Sequence, residues 1–305
     1  MSGSGRAASR TAVLVCQGRA AANGRAATDQ FADPVAAGLL RVAERKPVDE
    51  VRANTPPQSW QERTVYESVR ACAEVVVPRT VAIDEALRVH VTGQLVILGA
   101  GLDTRAWRLP ELARTDVWEV DHPASQQDKR ARLAEAAPGL RGPDEGGLLA
   151  AEPPAVARSV RFTPADLAVD DLGAALDAAG HDPSAPTTWL WEGVVPYLTR
   201  EQVRATVAAL AARTVPGSAL VVNYQAPSAR AAAGRLLTRV LGGSVTSGEP
   251  WRSLWRPRRM AALLAEYGLR VVSDDDLLAV ARTLGSPARG RTSLRSGRVA
   301  VAESH

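Results

Sequence analysis

The hydrophobic pattern changes character near Gly93. Before that point apolar residues recur at helical spacing. Phe31, Val35, Leu39, Leu40 and Val42 form one such series, with Asp33-Pro34 as its start signal. Thr55-Pro56-Pro57 interrupts the region, and Val65, Val69, Cys72 and Val76 predict a second helix. That helix is expected to stop before Pro78, because an interior proline removes a hydrogen bond and clashes with the preceding turn. Residues 81–89 predict a third. Beyond Gly93, short apolar runs alternate with amphipathic stretches. Residues 94–99 (QLVILG), 117–121 (VWEVD), 159–162, 188–192 (TWLWE) and 219–224 (ALVVNY) read as strands, and 270–273 and 298–302 as the last two.

Helices fit between these runs. Residues 125–128 resemble a capping box ahead of Leu133, and Thr199 with Gln202 forms a better one ahead of Val203, Val207 and Leu210. Pro257 opens a helix through Met260, Leu263 and Leu264, and Gly268 closes it. Strand and helix in alternation predict an α/β fold with a doubly wound, mostly parallel seven-stranded sheet. The Gly-, Ser- and Arg-rich connection at 285–297 predicts an antiparallel edge strand. The expected division is a helical cap or lid over 1–93 and a sheet-bearing core over 94–305, with a substrate-covering insertion near 225–256.

Composition narrows the class. The 305 residues are 46% hydrophobic and 23% charged, as in globular proteins. The net charge is +4, yet all basic residues except Lys46 and Lys129 are arginine. With abundant alanine this looks like coding bias, and the scattered charges read as solvated surface, the denser stretch at 252–298 included. Nucleic acid is the minority reading. No apolar run approaches the roughly 20 residues of a membrane span. Residues 12–15 are too short for a signal-peptide core, so a cytoplasmic protein is expected. Cys16 and Cys72 build no disulfide framework and fit no metal-ligand spacing.

The densest chemistry is LGAGLDTR, residues 98–105. Gly99 and Gly101 follow a buried strand, at the crevice where open α/β sheets bind ligands. A dinucleotide fingerprint needs glycine where Thr104 stands, so a ligand without a pyrophosphate fits better; the pair also fits a plain tight turn. Asp121 ends the next strand, twenty residues after Gly101, where a carboxylate accepts both hydroxyls of a ribose. Asp166 with Leu167 follows the third strand, suited to an adenine amine and ring. Glu192 ends the fourth, as ligand carboxylate or helix cap, with Tyr197 shortly after. His122 is a candidate base or a merely packed imidazole.

Taken together, these stretches resemble the class I S-adenosylmethionine-dependent methyltransferases. More narrowly, they resemble the actinobacterial branch of the leucine carboxyl methyltransferase-like family. The carriers are FADPVA (31–36), PRTVAID (78–84), VILGAGLDTRAWRL (96–109), VWEVDHP (117–123), ADL (165–167) and WEGVVPYL (191–198). The resemblance implies a Rossmann-like methyltransferase fold that binds S-adenosyl-L-methionine. Arg79 would pair with the cofactor's carboxylate, Gly99 and Gly101 cradle it, Asp121 grip the ribose, Asp166 and Leu167 meet the adenine, and Glu192 face the methionine end. Arg19 would hold a carboxylate of cofactor or substrate, or stand as an exposed lid charge.

The expected reaction is O-methylation of a small molecule, a carboxylic acid or hydroxyl of a natural-product intermediate. N-methylation, a non-catalytic cofactor-binding protein and an NAD-dependent oxidoreductase are the alternatives. His122 or Glu192 as a base, or Tyr197 as an orienting hydrogen-bond partner, would serve a hydroxyl acceptor; a carboxylate needs only a cation, with Arg19 and the arginines after Tyr224 as candidates. Trp251 and Trp255 lie four apart, so on a helix they would share a face and wall the substrate, unless they simply pack a lid.

Overall fold

The computed structural model describes residues 9–140, 155–227, 251–286 and 292–304. Its strands are β1 (Gln94–Leu98), β2 (Asp116–Asp121), β3 (Ser159–Pro164), β4 (Thr187–Trp191), β5 (Ala219–Gln225), β6 (Leu269–Asp276) and β7 (Gly297–Ser304). They form one sheet in the order β3-β2-β1-β4-β5-β7-β6. The first five strands are parallel. β7 runs against both β5 and β6, so the reversed strand sits inside the edge strand β6. Every residue of β1, β4 and β5 is buried, which is why these strands read as mainly apolar runs without strict alternation.

The helices are α1 (Arg10–Ala22), α2 (Val42–Ala53), α3 (Trp60–His90), α4 (Arg105–Arg108), α5 (Pro123–Leu140), α6 (Leu172–Ala178), α7 (Arg200–Ala211), α8 (Pro257–Glu266), α9 (Leu277–Thr283) and α10 (Thr292–Ser296). One face of the sheet, including Leu95, Ile97, Leu190 and Val221, shares its apolar cluster with Cys16 and Ala20 of α1 and Val69, Ile83 and Leu87 of α3. The other face, with Trp118, Trp189 and Trp191, packs on α6, α7 and α8 through Leu176, Val203, Val207 and Leu263. Among the described residues no helix is long and apolar enough to cross a membrane.

Three local expectations are corrected. Helix α3 runs unbroken through Pro78. An interior proline costs about 3 kcal/mol. Val69, Val76, Val77, Val81, Ile83 and Leu87 are buried on both sides of it, and each contributes roughly 1.5–3 kcal/mol. Burial therefore outweighs the break. The series from Phe31 to Leu40 is not a helix: it holds one 3-10 turn, Ala36–Leu39, and α2 starts only at Val42. Phe31, Val35, Leu39 and Leu40 are buried nonetheless, whereas Val42, the last of the series, is exposed. Helix α5 opens at Pro123, with Ser125 inside it, so the box expected at 125–128 does not cap it. The Thr199 box does form: Thr199 Oγ1 accepts from the Gln202 N–H at 3.2 Å, and Gln202 Oε1 from the Thr199 N–H at 2.8 Å.

Candidate active site

The loop after β1 turns on Gly99 (φ +65°) and Gly101 (φ +50°), in the left-handed region that L side chains avoid. A Cβ on Gly99 would lie 2.3 Å from Val194 Cγ2, in the loop after β4, and one on Gly101 would lie 3.2 Å from Ala12 Cβ of α1. The loop is thus pressed between the β4 connection and the first helix. Its backbone is pinned to β2. Gly99 and Ala100 donate to the Val120 carbonyl at 2.7 and 3.2 Å, and Gly101 donates to Asp121 Oδ2 at 2.5 Å.

Asp121 Oδ1 accepts from the His122 N–H at 2.7 Å. Burial holds the Asp121 carboxyl above its ordinary range against these bonds. The Ala165 N–H donates to the Asp121 carbonyl at 2.9 Å, which sets Asp166 beside Asp121 on the carboxyl edge of the sheet. Asp166 Oδ1 accepts from the Ala168 N–H at 2.9 Å, and Leu167 packs against the apolar cluster of the second sheet face.

Behind the loop lies a buried ion network. Arg105, at the start of α4, donates through Nε to Asp84 of α3 (2.7 Å) and through Nη1 to Glu192 (2.7 Å). It also bonds Asp103 through both backbone and guanidinium. Arg108 donates to both oxygens of Asp84, at 2.8 and 3.1 Å. Asp33 accepts from Arg19 Nε (2.8 Å) and Thr104 Oγ1 (2.7 Å). Four arginines (19, 79, 105, 108) thus face four acids (33, 84, 103, 192). Burial pushes the carboxyls of Asp103 and Glu192 up, but Arg105, helped by Lys129 at Asp103 and by Arg79 at Glu192, holds both below their usual range. Beneath the loop, Lys129 Nζ donates to the Asp103 carbonyl (2.7 Å) and to Glu119 (2.5 Å). Burial outweighs Lys129 there and lifts Glu119 to about 7.

Asp84, Asp103, Arg105, Arg108, Glu119 and Lys129 carry no role in the sequence pattern, and Asp33 only that of a start signal. The signal available was the density of opposite charges in PRTVAID and GLDTRAWR, stretches too apolar around those charges to lie on a surface.

The singled-out residues distribute as follows. Arg79 and Glu192 meet: Nε and Oε1 are 2.7 Å apart. Arg19 is no exposed lid charge. It is 6% exposed, and Nη2 bonds the Leu102 carbonyl at 2.5 Å while Nε holds Asp33. A side chain so committed ties α1 to the glycine loop. His122 is exposed, and its Nδ1 accepts the Ala124 N–H (3.2 Å) in the first turn of α5. Tyr197 is half-buried in a 3-10 turn, Val195–Tyr197, after β4. The helical premise for Trp251 and Trp255 is corrected: residues 251–256 form no helix. Backbone bonds fasten this segment across the ends of β4 and β5, from Arg252 to the Pro196 carbonyl (2.6 Å) and from Trp255 to the Gln225 carbonyl (2.9 Å). Trp255 is buried in the core with Arg200 over its ring, whereas Trp251 is 36% exposed.

Two open grooves lie elsewhere. One, of about 570 Å³, is at the amino end of the sheet beside Thr92, Asp116 and Gly217; the other, of about 470 Å³, is beside α5 and Phe162. Neither includes a glycine-loop residue, and the chemistry stays with the carboxyl edge.

The arrangement fits S-adenosyl-L-methionine on its own geometry. Arg79 Nε and Glu192 Oε1 are buried and close, yet misaligned, so neither has a hydrogen-bond partner. A buried donor and acceptor left unmade are costly, and a ligand with one carboxylate and one ammonium satisfies both. The Asp121 carboxyl, one strand away, is the acceptor a ribose requires.

Comparisons with known proteins bear on the family and the fold. Residues 12–211 match the sequence profile of the family described as Leucine carboxyl methyltransferase. A protein of Mycobacterium sp. (strain JLS), provisionally named an S-adenosyl-L-methionine-dependent methyltransferase, is 33% identical over 294 residues, 87% of this chain and 89% of that protein. A similarly named protein of Mycobacterium avium (strain 104) is 34% identical over 249 residues, 77% of this chain and 72% of its own. The crystal structure of a provisionally named methyltransferase from Thermobifida fusca YX superposes with a TM-score of 0.54, at 16% identity, covering 98% of this chain and 95% of that one. At that identity the likeness bears on fold alone.

Proposed function

The chain belongs to the leucine carboxyl methyltransferase family and is an S-adenosyl-L-methionine-dependent methyltransferase, and we propose that it transfers the methyl group to a carboxylate oxygen of a small molecule in the cytoplasm. Arg79 and Glu192 would hold the methionine end of the cofactor, Gly99 and Gly101 its middle, Asp121 the ribose, and Asp166 with Leu167 the adenine. When bound, S-adenosyl-L-methionine supplies an electrophilic methyl group on a sulfonium. What the protein must add is alignment and a water-poor crevice.

The reading rests on the protonation chemistry of the crevice. Asp103 and Glu192 are held ionised by guanidinium groups, so they make poor proton acceptors at neutral pH, and Glu119, though lifted to about 7, is 1% exposed and bonded to Lys129 beneath the loop, out of an acceptor's reach. The sequence has four histidines. His122 spends Nδ1 on α5. His181, wedged between Trp118 and Trp189, is pushed down to about 4 by burial and then by Arg213. His90 ends α3, where Thr188 at the start of β4 donates to its carbonyl at 2.7 Å. His305 lies outside the described residues. A carboxylate acceptor suits such a site, because it arrives already ionised. The name of the family points the same way.

The acceptor's carboxylate then needs a cation other than Arg19. Arg252 fits: it is exposed, and its backbone is fastened to Pro196, next to Tyr197. Tyr197 would orient the acceptor and Trp251 offer it an apolar edge. Arg252→Ala is expected to raise the acceptor KM about tenfold, the scale of one charged hydrogen bond, while calorimetry shows the cofactor Kd unchanged. An unchanged KM removes Arg252 from the acceptor site.

The decisive test incubates the protein with methyl-labelled S-adenosyl-L-methionine and panels of carboxylic acids, phenols and amines. Label released as methanol by mild alkali marks an ester and is the expected result. Alkali-stable label on a phenol or amine overturns the carboxylate reading. The pH profile gives an independent readout. For a carboxylate acceptor kcat stays flat between about pH 6.5 and 9, because a carboxyl of pKa near 4 is ionised throughout. A phenol acceptor would make the rate climb with pH.

A further inference from the structure

Glu192 is shared unequally by two arginines. Arg105 reaches Oε2 at 2.7 Å in a proper hydrogen bond. Arg79 approaches Oε1 at 2.7 Å without one. The two arginines also differ in what else holds them. Arg105 is 2% exposed and grips Asp84 and Asp103 as well. Asp84 lies on α3, the helix that carries Arg79. Through one rigid guanidinium, the glycine loop, the α3 helix and the end of β4 are therefore held at fixed spacing. A lysine has the charge but not the planar fork needed to meet three carboxylates.

We propose that Arg105 is the positioning residue of the cofactor site. It holds Glu192 in place and ionised, so that Arg79 can let go of that carboxylate and take the carboxylate of S-adenosyl-L-methionine, while Glu192 Oε1 turns to the ammonium. Arg105 touches neither group itself. Its work is to keep Glu192 from following Arg79, and to keep α3 at the distance where the exchange is possible. The ion pair between Arg79 and Glu192 is in this sense a placeholder, and the one between Arg105 and Glu192 is the permanent contact.

The test is calorimetric titration of S-adenosyl-L-methionine, and separately S-adenosylhomocysteine, into wild-type protein and Arg105→Lys at pH 8 and pH 6.5. The groups facing Glu192 are Arg79 from α3, Arg105 from α4, Asp103 from the glycine loop and Arg19 from α1. The Asp121 carboxyl, raised by burial, is common to both proteins, so the readout is the ratio of their Kd values. A lysine keeps the charge but cannot reach Glu192 while also holding Asp84 and Asp103, so burial is opposed by a more distant cation and the Glu192 carboxyl takes up a proton more readily. The ratio is expected to be about fivefold at pH 8 and to widen to about twentyfold at pH 6.5. In a Glu192→Gln background, where position 192 can no longer ionise, the widening should vanish. A folded Arg105→Lys protein with wild-type affinity at both pH values overturns the proposal. So does a ratio that ignores pH, or a widening that survives in Glu192→Gln. Should Arg105→Lys fail to fold, Asp84→Asn loosens the same guanidinium at its α3 end. It is expected to weaken binding about threefold, more at the lower pH, and unchanged affinity there counts equally against the proposal. Cofactor binding is measured without an acceptor, so an error about the carboxylate substrate would leave this result untouched.

Discussion

Asp121→Ala should weaken binding of both S-adenosyl-L-methionine and S-adenosylhomocysteine ten- to a hundredfold, the range of a buried charged hydrogen bond lost. The two ligands should suffer equally, because the adenosyl group they share is what Asp121 would hold. The geometry explains why the effect is large. Asp121 stands at the end of β2 and is held by two backbone N–H groups, Gly101 at 2.5 Å and His122 at 2.7 Å. Two bonds leave a carboxylate, with about four lone-pair sites, free to accept the two hydroxyls of a ribose. Burial already keeps this carboxyl above its ordinary range, so its ionised form is costly in the fold.

The sign follows. A carboxyl whose folded pKa is raised binds protons more readily folded than unfolded, so it subtracts stability as pH rises through that range. Asp121→Asn should therefore regain at neutral pH part of what it loses by turning an amide NH2 toward the Gly101 or His122 N–H, while still losing affinity. Wild-type affinity should also fall as pH drops through the raised pKa. Calorimetry with circular dichroism as a folding control settles the matter. Unchanged affinity in a folded Asp121→Ala protein would sink the ribose role.

What could be read from residue order, and what could not, divides along sequence distance. The strands were legible because β1, β4 and β5 are buried on both faces and are apolar through most of their length. Gly99, Gly101 and Asp121 were legible because each sits at a strand end, where topology alone makes a crevice. The ion network was not, because its partners are remote. Thr104 and Asp33 are 71 positions apart, and Arg105 and Glu192 are 87. The apolar surroundings of Asp84 in PRTVAID hint at burial, but nothing local names Arg105 and Arg108 as its partners. Pro78 misled for the opposite reason: the local rule is sound, but the burial of Val76, Val77 and Val81 around it is a tertiary fact. The spacing of Trp251 and Trp255 fits a helix, yet the chain there spends its backbone N–H groups on Pro196 and Gln225.

Gly99→Ala should destabilise the fold by about 2–4 kcal/mol, a sizeable part of the roughly 5–15 kcal/mol that holds a domain together. Two separate penalties make up the loss. Alanine at φ +65° costs about 1 kcal/mol relative to glycine. The added Cβ also lies 2.3 Å from Val194 Cγ2, well inside contact distance. Valine is stiff at χ1 and cannot swing aside cheaply, so the overlap adds about 1–3 kcal/mol as overpacking does elsewhere. Urea denaturation of Gly99→Ala and of Gly99→Ala with Val194→Ala separates the two. The double variant removes the overlap and should recover most of the loss beyond its own small cavity, leaving the backbone penalty. Equal destabilisation of the single and double variants would show that Val194 is not the obstacle. The same methyl would also push the loop off the Val120 carbonyl that pins it at 2.7 Å, displacing Gly101 from Asp121. Glycine at 99 is therefore demanded by the protein's own packing before any cofactor arrives, and the cradle is a consequence of a turn that nothing larger can make.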